Sequence, residues 1–486
     1  MVAGDPAPSP SRRRVLVATD DVLTERLAGP AIRAWHVAGA LAPAHDVVLA
    51  TTSGTCAVRP RGFRAEAADE ARFAELEAWC EVAVIQGYLL HKVPGLRRSR
   101  RIMAFDLYDP LQLEALELTR GMAEPERSIH VGNSVGTVEE QLARGDVLFC
   151  ASERQRDFWL GSLTALGRVN PRTYGEDPTL RRLIDVVPFG LPDEPPVHTR
   201  PALRGVVPGI GPGDEVVVWG GGLYDWFDPV TLVRAVDRLR ATRPALRLVF
   251  MGMRHPKPDI AESAVALEAR RLAAELGLTG VHVFFNEGWV PYEERQNHLL
   301  EADVAVSLHH VTVETRFSFR TRVLDYLWAG LPMVLTTGDG FADLVRAEGL
   351  GRVVPDADPG AVAEALGELL ADPAERAACR ERARALSPRF AWSAALAPVV
   401  AFCADPRPAP DDPQWRPPTP RPGPGGGPAD DPGAPVGGPP EPGWRRDLRR
   451  VRALYLDGGV RAVAGDTRRW LGQRLGEGVR GRSRSR

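Results

Sequence analysis

The stretch Ser318–Pro332, SFRTRVLDYLWAGLP, decides the fold. Ser318 is a residue type that caps helices, and an apolar-periodic helix follows it. One acid, Asp325, lies inside that helix, and Gly330-Leu331-Pro332 ends it. A strand pattern precedes the stretch (Val304 to Leu308) and another follows it (Met333 to Thr337). Strand, loop, helix, tight turn and strand make one unit of a parallel α/β sheet. In such a unit the start of the helix faces the ligand crevice, where its unpaired N–H groups suit a phosphate.

Outward from this unit the same alternation recurs. Strands are predicted at Arg14 to Thr19, His45 to Ala50, Val82 to Ile85, Arg101 to Phe105 and Val147 to Ala151. Helices are predicted at Ala31 to Leu41, Glu66 to Trp79 and Glu153 to Thr164. A Pro-rich passage from Leu191 to Pro212 interrupts the pattern, which restarts at Glu215 with strands at 215–219, 246–251 and 281–285. The reading is two tandem doubly wound α/β domains, 13–190 and 215–388, facing a cleft. Residues 389–403 read as a helix crossing back to the first domain. A Pro/Gly-rich linker covers 404–443, and a basic helical tail covers 444–486.

With 44% apolar residues and a net charge of −2, the chain has the composition of a soluble globular protein and not that of a nucleic-acid binder. Its five cysteines form no C-x-x-C pair, which suits structural thiols in a reducing cytoplasm. The N-terminus lacks the apolar segment of a secretory signal, and no apolar run reaches the length of a spanning helix. The tail carries 13 arginines against four acids, with Trp444, Leu448, Val451 and Tyr455 at helical spacing. It reads either as an amphipathic element for an anionic membrane surface or as a charged, disordered tail. The expected location is cytoplasmic, peripheral on the inner face of a membrane.

Several motifs together resemble the retaining glycosyltransferases of family 4, which have the two-domain GT-B fold. The matching text is Val290-Pro291-Tyr292-Glu293-Glu294, Ala302-Asp303-Val304-Ala305-Val306-Ser307 and Asp325-Tyr326-Leu327-Trp328-Ala329-Gly330-Leu331-Pro332. In the first half it is Gly145 to Glu153 and Val186 to Leu191. The resemblance implies a hexosyltransferase-type enzyme (class 2.4) that moves a sugar from a nucleotide-diphosphate donor to a glycan or lipid-linked acceptor, in cell-surface polysaccharide synthesis. It implies no cofactor and no metal, the nucleotide sugar being a co-substrate.

The resemblance places Asp325 at the family's ribose-binding acid. The family's first acid would fall eight positions earlier, at Phe317, and Glu314 is the candidate to replace it. The family's Arg and Lys after the first donor-domain strand correspond to Gly222 and Phe227. Arg316, Arg320 and Arg322 are the candidates to hold the diphosphate instead, because a departing diphosphate needs its charge stabilised and guanidinium grips phosphate bidentately. Ser318, Gly221, Gly222 and Thr337 complete the expected donor site. Glu314, Arg320 and Asp106 are the expected catalytic residues, and Gly29, Arg33 and Asp109 the acceptor contacts.

Each assignment has a plainer alternative. Asp325 could form an i,i+3 ion pair with Arg322. The arginines could be a solvated face, although three near a helix start oppose its dipole unless an anion is bound. Gly220-Gly221-Gly222 could be only a strand-to-helix turn, and Gly29-Pro30 only a capping loop. Asp106 and Asp109 could only shape an Asx turn before Pro110. His309 and His310 are adjacent, so they point apart and make poor joint metal ligands. A second functional reading is a degenerate relative that binds a nucleotide sugar or glycan without transfer.

Overall fold

A computed structural model describes residues 12–257 and 260–411. The predicted linker and tail, 412–486, lie outside the described residues, so the tail's membrane role stays an expectation.

The first sheet has seven strands: β1 (Arg14–Thr19), β2 (Asp46–Thr51), β3 (Arg64–Ala67), β4 (Val82–Gln86), β5 (Ile102–Asp106), β6 (Val147–Cys150) and β7 (Ile184–Val186). Their order is 3-2-1-4-5-6-7, with every pairing parallel. The second sheet has β8 (Glu215–Trp219), β9 (Leu246–Phe250), β10 (Val283–Phe285), β11 (Val304–Ser307), β12 (Met333–Thr336) and β13 (Gly351–Val354). Its order is 10-9-8-11-12-13, again all parallel. Central strands such as β4 and β12 are buried along their whole length, as a sheet covered by helices on both faces requires. Each sheet reverses its strand order once, at β1/β4 and at β8/β11, and such switch points open crevices at the carboxyl ends of the strands.

The predicted helix over Glu66 to Trp79 is two elements. Residues 64–67 pair with β2 as an edge strand, and a helix covers Glu70–Trp79, capped by Asp69 accepting from Arg72 N at 2.8 Å. Edge strands β3 and β13 carry few buried residues, so apolar periodicity gave no signal for them. The predicted crossing helix of 389–403 is broken into Trp392–Ala395 and Ala397–Ala404. Trp392 N donates to Leu191 O (2.8 Å), and the second piece packs on helix Gly29–Leu41 of the first domain.

The stretch that led the sequence reading differs at its start. Residues Val313–Phe317 form a short helix of their own, with Ser318 at its C-terminal end. The following helix begins at Thr321 and runs to Ala329, with Arg320 at the cap position and no side-chain cap. Ser318 therefore does not cap it; its hydroxyl donates to Thr315 O (3.1 Å) instead. Gly330 is left-handed (φ 70°), which ends the helix at the predicted turn. Tyr326 anchors the helix to the sheet: its hydroxyl accepts from Gly220 N (2.8 Å) and donates to Val306 O (2.9 Å). Among the described residues no helix is long and apolar enough to cross a membrane.

Candidate active site

In the second domain the candidate site is built where β8 ends. Gly221 adopts φ 69°, a conformation that suits glycine, with open space where a Cβ would point. At Gly222 a Cβ would meet Trp289 at 2.9 Å, so the ring of Trp289 fills the place of a side chain. A charged group of another element lies beside these positions. Arg322 Nη2 donates to Gly222 O (2.6 Å), and its guanidinium lies 3.9 Å from the ring centre of Phe227 and 4.9 Å from that of Trp219. It thus touches both positions, 222 and 227, where the family's cations would stand.

Arg322 is buried, and Nη1 has no hydrogen-bond partner. Its neighbours are aromatic rings and a carbonyl, and burial, with Arg320 also contributing, pushes its pKa down to about 10. A desolvated cation without a counter-anion is costly, and a bound anion removes that cost. Arg320, also buried, is held by Glu314 in a fork of 3.0 and 2.7 Å, while its Nε lacks a partner. The two carboxylate oxygens of Glu314 are thereby engaged by Arg320, not free for a sugar. Arg316 is exposed, its guanidinium 5.8 Å from the Phe317 ring centre. The predicted cluster of three arginines is therefore two buried groups and one solvated one.

Asp325 does not pair with Arg322. Arg295 Nε donates to it at 2.9 Å, and Arg295 is itself sandwiched between Tyr292 (3.7 Å) and Trp328 (4.6 Å). The Asp325 side chain stays 34% exposed, which leaves its other oxygen available. Thr337 follows β12, its N–H bonded to Val354 O and its carbonyl 3.2 Å from His309 Nε2.

In the first domain, Arg33 and Asp106 find each other. Arg33 Nε and Nη2 donate to Asp106 at 2.5 and 2.8 Å, and further bonds run to Val187 O and Pro188 O at 2.8 and 2.9 Å. Arg33 is 1% exposed, so the pair sets the architecture of the cleft floor and neither partner is free for an acceptor. Gly29 lies close to this floor, where a Cβ would be 3.4 Å from the Tyr108 hydroxyl.

Asp109 and two residues that sequence reasoning missed, Glu114 and Asp21, are acids whose burial outweighs the partners they have. Burial, with Asp106 and Glu314 nearby, raises Asp109 to about 7. Burial and the charges of Asp109 and Glu314 raise Glu114 well above the usual carboxyl range, and burial raises Asp21 to about 6. The signal for Glu114 was an acid in the first turn of the helix that leaves the β5 end. Burial raises the Tyr224 hydroxyl, and Arg322 of its own domain and Asp21, Glu114 and Asp109 of the first domain all act on it.

These raised values predict a pH effect. A carboxyl with a folded-state pKa near 7 and an unfolded one near 3.8 binds its proton more tightly when folded. Stability is then lost as pH rises from about 4 to 7. Asp109→Asn should therefore stabilise the protein more at pH 8 than at pH 5, as read by thermal melts. An equal effect at both pH values would contradict the assignment.

Among the described residues, Asp228, His310 and Asp356 bring three possible ligand atoms within 4.8 Å of one another. Their atoms already serve the fold. Asp228 caps helix Pro229–Leu239 through Thr231 N (2.9 Å), and Asp356 is engaged by His310 Nδ1 (3.2 Å) and Val311 N (3.0 Å). His309 points elsewhere and is buried, its pKa lowered to about 3 by burial and by Arg320.

Residues 207–386 match the family model described as glycosyl transferases group 1. A D-inositol 3-phosphate glycosyltransferase of Xylanimonas cellulosilytica is 32% identical over 254 residues, 49% of this chain and 55% of that protein. One from Acidothermus cellulolyticus is 28% identical over 190 residues, 39% and 41% of the two chains. The chain spans about half the length of the curated relatives it matches. Among solved structures, HepE from Anabaena with UDP and glucose superposes with a TM-score of 0.59 at 13% identity, over 80% of this chain and 99% of that one. Sucrose-phosphate synthase from Thermosynechococcus elongatus gives 0.56 at 18% identity, over 79% and 96%. At these identities the likeness is one of fold: the two domains have the GT-B arrangement, and residues 207–386 of the second match the group 1 glycosyl transferases.

Proposed function

We propose that the chain is a retaining glycosyltransferase of family 4 that moves a hexose from a nucleotide-diphosphate donor to a hydroxyl of a glycan or lipid-linked acceptor. The observation that carries this reading is Arg322, a buried guanidinium with an unpartnered N–H and no carboxylate, beside the Gly220–Gly222 turn. A diphosphate meets that need, and the uncapped start of helix Thr321–Ala329 adds N–H dipoles of the same sign. Asp325 is assigned to the donor ribose through its exposed oxygen. Arg320 supports the departing phosphate through its free Nε, and that phosphate takes the acceptor proton. Asp109 and Glu114 receive acceptor hydroxyls.

The relatives are named D-inositol 3-phosphate glycosyltransferases. Burial keeps Glu114 protonated at neutral pH and Asp109 partly so, which suits them to hydrogen-bond the hydroxyls of an acceptor. A role in cell-surface polysaccharide synthesis at the cytoplasmic membrane face belongs to the same proposal.

A panel of nucleotide sugars, assayed for transfer and for donor hydrolysis, tests the reading. One donor should be turned over, and Asp325→Ala should raise its KM, since one hydrogen bond to a charged group contributes about 1.5–3 kcal/mol. No turnover of any donor, with nucleotide binding retained, would instead favour a non-catalytic sugar-nucleotide binder. One observation favours that second reading: Phe317 and Glu314 are both engaged elsewhere, which leaves neither to hold the sugar.

A further inference from the structure

We propose that Gln155 is a positioning residue for the donor site, acting from the opposite domain through the backbone of Phe317. The proposal rests on the transferase reading for the identity of the ligand. Gln155 is fully buried, and every polar atom of its amide is engaged. Its Oε1 accepts from Ala151 N at 2.7 Å, which fixes the direction of the amide. Its Nε2 then donates both to Tyr108 O (2.8 Å) in its own domain and to Phe317 O (2.7 Å) in the donor domain. One turn along the same helix, Phe158 packs on the Phe317 ring with centroids 4.6 Å apart. Two residues on one helix face thus hold one residue of the other domain, by backbone and by ring.

Phe317 matters because of what its helix carries. It ends the five-residue helix Val313–Phe317, and Glu314 in that helix grips Arg320 from its buried place. The helix is pressed against helices Leu111–Leu118 and Glu153–Ala165 of the first domain. Arg320 and Arg322 share the Phe227 ring, at 5.0 and 3.9 Å. A shift of Phe317 therefore moves Glu314, then Arg320, and changes the repulsion that Arg322 feels. The Arg154–Asp343 bridge at 3.1 Å also spans the domains, but both groups are exposed, so it contributes little. The domains also meet through Tyr292 N to Glu25 O (3.0 Å) and Trp289 Nε1 to Leu27 O (3.2 Å), but those bonds do not touch the helix that carries Glu314. A carboxylate at position 317, as the family resemblance would place there, would lie against Phe158 without its ring contact. The chain uses this position to tie the domains together.

Gln155→Met keeps the volume and removes both N–H donors. The probes are the nucleoside diphosphate that the wild type binds best in a panel, and the matching nucleoside. Two carbonyls lose their donor and Ala151 N loses its acceptor, and of these only the Phe317 carbonyl belongs to the second domain, so diphosphate affinity should fall about tenfold while nucleoside affinity stays within about twofold. Phe317→Leu, which keeps the backbone bond and loses the ring contact, should show a smaller change in the same direction. It also serves as the test variant if Gln155→Met does not fold. Equal weakening of both ligands, or no weakening of either, overturns the proposal while the transferase reading stands. A wild-type protein that binds no nucleoside diphosphate sinks that reading and this proposal with it.

Discussion

Arg322→Met is expected to remove nucleoside-diphosphate binding while leaving the unliganded protein as stable as the wild type, or more so. Methionine fills nearly the same volume against Phe227 and Trp219, two rings that already surround the guanidinium. The wild-type residue buries a charge with no carboxylate in ion-pair contact, Asp325 acting only from a distance, so its removal relieves a desolvation cost. Against an anionic ligand the sign reverses. Losing a buried charge partner costs about 2–5 kcal/mol, between roughly 30-fold and a few thousand-fold in affinity. Calorimetric titration and a thermal melt of the same variant read both halves. A variant that melts lower and binds unchanged would mean that Arg322 only supports the turn.

The second large effect is expected at Asp106. Removing it by Asp106→Ala leaves Arg33 buried with no ion-pair partner, held by the carbonyls of Val187 and Pro188 and by the Tyr108 ring. Breaking a buried pair from one side costs about 3–5 kcal/mol, a large part of a domain's usual 5–15 kcal/mol. The double replacement Arg33→Met with Asp106→Leu removes both charges and should regain most of that loss. Denaturant titration of the three variants decides it. If Asp106→Ala melts like the wild type but abolishes turnover, Asp106 acts on substrate and the expectation of a catalytic role is restored.

Much of the fold was legible because long parallel strands and amphipathic helices alternate with clear punctuation. The central strands repeat as apolar runs, and Gly330-Leu331-Pro332 marks a helix end that the backbone confirms with a left-handed glycine. The edge strands β3 and β13 were not legible, since they bury few side chains. The short helix Val313–Phe317 was not legible either, because a single turn has no periodicity. That miss moved the helix start from Ser318 to Thr321 and changed what Ser318 does.

Site residues were legible as types but not as partners. The sequence offered Arg33, Asp106, Glu314 and Arg320 as free functional groups. Folding closes them into two buried ion pairs whose members are 73 and 6 positions apart. Arg322 has no such partner, and only the structure separates it from Arg316, six positions earlier and exposed. Glu114, Asp21, Arg295 and Gln155 belong to no motif, and tertiary packing alone brings them to the cleft.

The central claim is that a diphosphate completes the charge of the Arg322 corner. Titrating the wild-type protein with a nucleoside, its monophosphate and its diphosphate tests it most directly. Affinity should rise at least about tenfold from monophosphate to diphosphate, and the gain should shrink in Arg322→Met. Equal affinity for all three ligands would show that no phosphate reaches that corner, and would contradict the account.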